Sequence, residues 1–586
     1  QRVKEKAKDG NFIPDGAMWV EGDTNMAGGE SLIRQFVYGK KWFREEFSVD
    51  SRVAWMPDTF GYTGALPQIM KGCGVEYFTT QKLLRADPEC EPFPYNLFWW
   101  EGIDGSRILS HIFKEGNAVL SPAGMVQRWE NDRNQKEEIS GMLYPFGYGD
   151  GGGGPTEIMV EMLRRCNDLE GAPRTVMEGP EDYFRRASGQ TVENVYYGEL
   201  YLAWHRGTYT TQARVKKKVR QAEVALRQAE FLAGILRLEG KEMKGYEPER
   251  AGQSDAEFSG GCPKNIEGGS AEQRGVVQTK RSAEGEAGQE IPARLEELWK
   301  ELLFCEFHDI LPGTSIRRVN EEAEAALDAV RRESLALADE FLAELAGEGA
   351  VFNSLSWPRK YGEISIPPCG YVRIGKMEDS GECEQVSGGN CATYGSKDAR
   401  AVAVISADAS ELIGRGEPEI YSMSENRGRT VTIENKYYRA KVDCLGRILS
   451  LRDKETGYEY AAGALNELCM YRDVNIGYDA WEIGRMYEQV PVEFGGEAML
   501  KICWKPDGIH LGIYREEAHF TWQQEIVFLA DSRKIEFRTK VDWRERHKLL
   551  KVAFPTTVHT SEAIEEIQFG YLKRPTHRSR RYERDL

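Results

Sequence analysis

The sequence predicts a multidomain chain of mixed class, α/β then all-α then all-β, from three changes of pattern along its 586 residues. Short apolar runs alternate with helical stretches up to about residue 195. Apolar residues then recur at three- and four-residue spacing, and beyond about 350 they alternate with polar ones. These patterns point to a β/α domain, a helical bundle and an antiparallel sandwich. The expected divisions are a β/α barrel-like domain over 1–195, a three-helix bundle over 196–347 and a β-sandwich over 348–586. Length agrees, since one domain takes about 100–200 residues.

In the first region RVAWM (52–56) reads as a buried strand, LPQIMKGCG (66–74) as a helix closed by glycine, and VEYFTT (75–80) as the next strand. ISGMLYPFGYG (139–149) reads as a further strand, ahead of a helix in EIMVEMLRRCNDL (157–169). Such alternation predicts a parallel sheet or barrel, whose ligands gather at the carboxyl ends of the strands. Val215, Val219, Ala222, Leu226, Ala229 and Leu232 stripe the first bundle helix. ARLEELWKELLFCEFHDIL (293–311), stopped by Pro312, is a second helix, and 317–346 a third, striped by Leu327, Val330, Leu337, Phe341 and Leu345. Residues 251–290 hold eight Gly and one aromatic, Phe258, which predicts a disordered insertion at about 245–290. The stretch 376–400 reads as a polar loop. TVTIENKYYRAKVD (430–443) and RKIEFRTKVDW (533–543) alternate as strands do, with turns at Leu445-Gly446 and Thr456-Gly457.

Lys plus Arg total 77 against 94 Asp plus Glu, a formal charge of −17. Such a surface repels nucleic acid and anionic membrane, and neither is expected as a partner. No run approaches the ~18 apolar residues of a membrane span. The 11 Cys include no CxxC pair, which fits reduced thiols in the cytoplasm. QRVKEKAKDGNF lacks the apolar stretch of a signal peptide and opens as if mid-helix, while RPTHRSRRYERDL stops within a β domain. The chain is expected to be a fragment truncated at both ends.

Four places could carry chemistry. Asp58, in WMPDTFGYTGALPQI, follows a buried strand and is flanked by Trp55, Phe60 and Tyr62, a setting of aromatic faces that suits a sugar. An Asp there also serves as an N-cap. Asp150, in GYGDGGGGPT, precedes four glycines that let a backbone approach a ligand closely. No Gly-Lys-Ser/Thr follows, so a phosphate loop is not supported, and a flexible turn with a solvated Asp is the plain alternative. His308 and Asp309, in EFHDILPGTSI, lie near a helix end, where a His ligates metal or is packed and hydrogen-bonded. His205, in HRGTYTTQ, could anchor loop backbone.

Taken together these segments resemble the glycoside hydrolase family 38 α-mannosidases, especially the cytosolic and bacterial branch. GNFIPDGAMWVEGDTNMAGGESLIRQFVYGKKWF (10–43) is similar to the family's stretch before the catalytic strand. The Asp58 segment looks like its nucleophile motif, the Asp150 segment its glycine-rich loop, the His205 segment its post-barrel stretch and the His308 segment its His-Asp motif. They occur in the family's order.

The resemblance implies retaining, metal-dependent hydrolysis of terminal α-mannosyl residues from oligosaccharides. Asp58 matches the residue that is both nucleophile and metal ligand, and His308 a second ligand, with zinc the expected ion and cobalt the alternative. Asp150 matches the acid/base. Phe60, Lys82, His205 and Asp309 match residues around the sugar. Two carboxyl groups about 5–5.5 Å apart would serve this chemistry, one attacking C1 and one protonating the leaving oxygen. The family's two other ligands lie in a His-x-Asp motif, and none of the eight His here begins one. The 586 residues alone are therefore expected to be weakly active or inactive. The competing reading is a catalytically dead carbohydrate-binding remnant. Homo-oligomer formation is left open.

Overall fold

The computed structural model describes residues 1–586 except 86–92, 115–119, 137, 151–152, 203, 241–286, 362–363, 375–401, 408–409, 413–418, 423–429, 476, 485, 494, 496–497 and 578–586. The expected insertion lies outside the described residues as far as 286, and the polar loop at 376–400 lies wholly outside them.

The first region is built on a five-stranded sheet of β1 (Val53–Trp55), β2 (Tyr77–Thr80), β3 (Leu97–Glu101), β4 (Arg107–Ile112) and β5 (Val195–Tyr197), in the order β1-β2-β4-β3-β5. β1, β2 and β4 run parallel, with Val53 opposite Tyr77 and Tyr77 opposite Leu109. β3 runs the other way, Leu97 facing His111, and β5 follows β3. The sheet is thus mixed and not parallel. The cause is a tight turn: Gly102 N–H donates to Ser106 O (2.9 Å), Asp104 accepts from Ser106 N–H (3.0 Å), and Gly105 takes φ 82°. Glu101, at the end of the reversed β3, pairs with Arg107 at the start of β4, at the opposite end of the strands from Asp58.

Helices α1 (Arg2–Lys8), α2 (Gly29–Phe47), α3 (Leu66–Gly72), α4 (Pro122–Asn131), α5 (Glu157–Arg165) and α6 (Pro180–Ala187) surround the sheet. Residues 141–149 form no strand. Met142 and Leu143 pack beside Leu97, Leu109 and Phe184, whereas Tyr144 and Phe146 turn to Met125, Met159 and Leu163. Those apolar residues serve two clusters on loop backbone, so their hydrophobicity reflects packing and not strand pairing.

Three long helices follow: α7 (Ala213–Leu238), α8 (Ala287–Cys305) and α9 (Arg317–Ala346). Val219, Leu226 and Leu232 of α7 join Leu298, Trp299 and Leu302 of α8 and Leu327, Leu337 and Phe341 of α9 in one core, which also takes in Leu32 and Phe36 of α2. Burying each such side chain contributes roughly 1.5–3 kcal/mol. Arg34 of α2 grips Glu230 of α7 with two N–H bonds (3.0 and 2.7 Å) and stacks 4.9 Å over Trp299 of α8. The helical bodies and the sheet are thereby held together by one contiguous core.

Beyond residue 350 the chain forms two five-stranded antiparallel sheets. Val431, Ile433, Ala440 and Val442 of one face Leu500, Leu511, Ile526 and Phe528 of the other. A hairpin of 562–567 and 570–575 returns to the first region. At its tip Gln568 donates to the carbonyls of Thr24, Asn25 and Ala27 and accepts from Thr63 Oγ1 (2.7 Å). Arg574 there pairs with Glu199.

Candidate active site

β1 is a run of buried apolar residues that ends against Met56 and Pro57, and proline cannot continue the ladder. The chain therefore turns out of the sheet at Asp58. Three neighbours fix that turn. Glu21 Oε1 accepts from Asp58 N–H (2.5 Å) and Thr59 N–H (2.9 Å). Tyr62 donates its hydroxyl to Met56 O (2.8 Å), and Asn25 Nδ2 donates to Phe60 O (3.2 Å). Gly61 has φ +97° and lies so near Asn25 and the Leu202 backbone that a side chain would be both strained and crowded.

Asp58 Oδ1 receives Lys82 Nζ at 2.8 Å and Gln81 Nε2 at 3.2 Å, both from the turn after the adjacent β2. Burial pushes the Asp58 carboxyl up, but the Lys82 ammonium, helped by His308 and Gln81, outweighs it and holds the group below the usual carboxylate value. Lys82 Nζ also sits 5.2 Å over the Phe60 ring. The result is an ionised, 40%-exposed carboxylate paired with a cation that lies over the Phe60 ring.

His308 reaches this site by a route the sequence did not suggest. The predicted helix over 293–311 stops at Cys305, because Phe307 bridges Gly22 and the His308 N–H donates to Glu21 O (3.1 Å). His308 is therefore on a turn and not on a helix. Its Nδ1–H donates to Glu21 O at 3.0 Å, which leaves Nε2 as the free nitrogen, 3.9 Å from Asp309 Oδ2. Asp309 Oδ1 accepts from Thr314 Oγ1 (2.5 Å) and so closes its own turn. Burial raises the carboxyls of Glu21 and Asp23, partly offset at Glu21 by His308 and at Asp23 by the N–H groups of Met26 and Asn25.

His205 has φ 66° and is clamped by Glu482, which accepts from both its backbone N–H and its Nδ1 (3.0 Å). Its ring meets the Phe60 edge at 4.9 Å and stacks on Trp204 at 5.1 Å. Asp58, Phe60, Lys82, His205 and His308 thus share one site.

Asp150 stands apart. It is exposed, with φ 44°, on a loop closed by Tyr148 N–H to Gly154 O (3.0 Å), and among the described residues its side chain has no hydrogen-bond or ion-pair partner. Gly153 lies so tightly on this loop that a Cβ would come 2.3 Å from Tyr148 O. Gly153 therefore lets the chain pass close to Tyr148.

A divalent ion would find Asp58 and the free Nε2 of His308. Among the described residues no three His, Cys, Asp or Glu side chains are grouped to hold one. These residues by themselves do not fit a zinc or cobalt ion. Glu21, Gln81 and Glu482 were missed from the sequence. The carboxylates of WVEGD beside a buried run gave a usable sign for Glu21; nothing local marks Glu482, 277 residues from its partner.

Residues 1–207 match the glycosyl hydrolases family 38 N-terminal domain, 203–345 the alpha mannosidase middle domain, and 433–585 the family 38 C-terminal domain. Alpha-mannosidase 2C1 of Homo sapiens is 31% identical over 595 residues, covering 98% of this chain and 50% of that protein. Alpha-mannosidase G of Dictyostelium discoideum is 28% identical over 626 residues, covering 98% and 52%. The chain thus spans about half the length of the curated relatives it matches. The crystal structure of an alpha-mannosidase from Enterococcus faecalis V583 superposes with a TM-score of 0.64 at 14% identity, over 99% of this chain and 71% of that one, and shows a shared multidomain α/β fold. No described helix is long and apolar enough to cross a membrane.

Proposed function

Because the chain belongs to glycosyl hydrolase family 38, we propose that it carries the hydrolytic site of a cytoplasmic α-mannosidase, which removes terminal α-mannosyl residues from oligosaccharides with retention at C1. Asp58 is the nucleophile, and the observation that carries this reading is its ion pair with Lys82 at the exit of β1, over Phe60. An ionised carboxylate beside an aromatic face can attack an anomeric carbon while the ring packs on the sugar. Asp58 bonds to C1, the glycosidic C–O bond breaks, and the leaving oxygen takes a proton from Asp150. Asp150 then deprotonates a water that displaces Asp58 from C1. For this Asp150 must come within reach of the sugar.

Lys82 is the cation facing Asp58, and Phe60 and His205 form the floor. Turnover by these residues alone is slow, since two metal donors do not complete a site. The test is proton NMR of an aryl α-mannoside with the 586-residue chain, with and without added zinc or cobalt. The first anomer released should be α. Initial release of the β anomer would overturn retention, and undiminished turnover in Asp58→Asn would overturn the nucleophile.

A further inference from the structure

Three more aromatic rings continue from the Asp58 floor: Trp204 and Trp481, which pack against the main core, and Tyr478, which does not. Trp204 stacks on His205 with rings 16° apart. Tyr478 meets Trp204 edge-on at 6.3 Å, and Trp481 meets Tyr478 at 6.2 Å and His205 at 6.4 Å. His205 in turn touches Phe60, so an unbroken line of rings runs outward from the site.

The turn carrying Tyr478 and Trp481 comes from the C-terminal half of the chain but is fixed to the His205 loop. Gly207 N–H donates to Trp481 O (2.8 Å), Thr211 Oγ1 donates to Ala480 O (3.0 Å), and Glu482 clamps His205. Within the turn, Trp481 and Glu482 N–H both donate to Tyr478 O (2.9 Å). Tyr478 is nevertheless 64% exposed and sits at φ 61°, an uncommon conformation for a bulky residue. A large ring held outward on a pinned turn gains little from burial and offers a rigid apolar face to a ligand. Asp479 follows Tyr478 in the chain, a neighbour that disfavours an anionic ligand.

We propose that Trp204, Tyr478 and Trp481 form a second sugar subsite, which stacks on a residue of a neutral α-mannosyl oligosaccharide beyond the one cleaved at Asp58. This rests on the reading of the Asp58 site as a mannoside site. The subsite makes the chain select for oligosaccharide length.

The experiment titrates the whole chain with methyl α-mannoside and with α-linked mannotriose, by calorimetry and by tryptophan fluorescence. Mannotriose should bind about tenfold tighter, the scale of one aromatic stack. Tyr478→Ala should bring the ratio close to one, while Tyr478→Phe, which keeps the ring, should preserve it. An exposed residue is replaced, so folding is not at stake. Mannotriose should quench tryptophan emission, and methyl α-mannoside should not. A tenfold preference that survives Tyr478→Ala, or a wild-type chain that binds both sugars equally, overturns the subsite alone. A chain that binds neither sugar overturns the mannoside reading, and the subsite with it.

Discussion

Asp58 and Asp150 are both acids beside glycines in loops, yet the fold treats them in opposite ways. Asp58 leaves a buried strand and is held by Glu21 through its backbone and by Lys82 and Gln81 through its side chain. Asp150 sits exposed on a loop where Tyr148 N–H donates to Gly154 O, and its side chain has no partner among the described residues. The difference fits two tasks. A nucleophile needs a fixed position and a stabilised charge, whereas an acid/base must give and take a proton.

The largest expected effect separates these tasks. Asp58→Asn should lower kcat/KM for an aryl α-mannoside by about a thousandfold whatever the leaving group. Asp150→Asn should lose about a hundredfold on a poor leaving group and much less on an activated one, which needs no proton. Equal losses for both leaving groups in Asp150→Asn would remove it as the acid.

Lys82→Met probes the charge on Asp58 and should cost about tenfold at neutral pH. Activity requires ionised Asp58 and falls as pH drops through its depressed pKa. Without Lys82 that pKa rises, so the acid limb of kcat/KM should move to higher pH. The stability Asp58 contributes through its depressed pKa is present above the unfolded value and lost as pH falls through the folded one. It is small here, because the carboxylate is 40% exposed. An unmoved acid limb would mean that other groups hold Asp58 ionised.

The smallest effect belongs to the Asp150 side. Thr156 caps α5 by accepting from Met159 N–H (3.3 Å). Thr156→Ala should cost about 1 kcal/mol, read as a lower melting temperature and faster amide exchange in α5. The acid limb set by Asp58 should not move. If it does, the two carboxylates are coupled more closely than their surroundings indicate.

Much of the Asp58 side was legible in the sequence because its determinants are local. A buried apolar run, a proline and an acid occur within seven residues, and Lys82 follows the neighbouring strand. The third long helix was legible for a similar reason: its stripe runs from 317 to 346, the bounds of α9. Where partners lie far apart, pattern misled. The apolar spacing through residue 311 continues a helix, but Gly22 and Glu21 capture the backbone after Cys305 and place His308 on a turn. Residues 139–149 carry apolar side chains for two separate clusters, and their number imitates a strand. The reversal of β3 is set by a four-residue turn at Gly102–Gly105, which periodicity does not report. Glu482, from the other half of the chain, leaves no local sign at all.

The most direct test is to trap the intermediate. A fluorinated α-mannosyl fluoride forms the glycosyl-enzyme faster than water clears it, so even slow turnover accumulates an adduct. Digestion and mass spectrometry then locate it. The account predicts one mannosyl ester, on the peptide carrying Asp58 and specifically on that residue, absent from Asp58→Asn. An adduct on Asp150 or on any other carboxylate would contradict it.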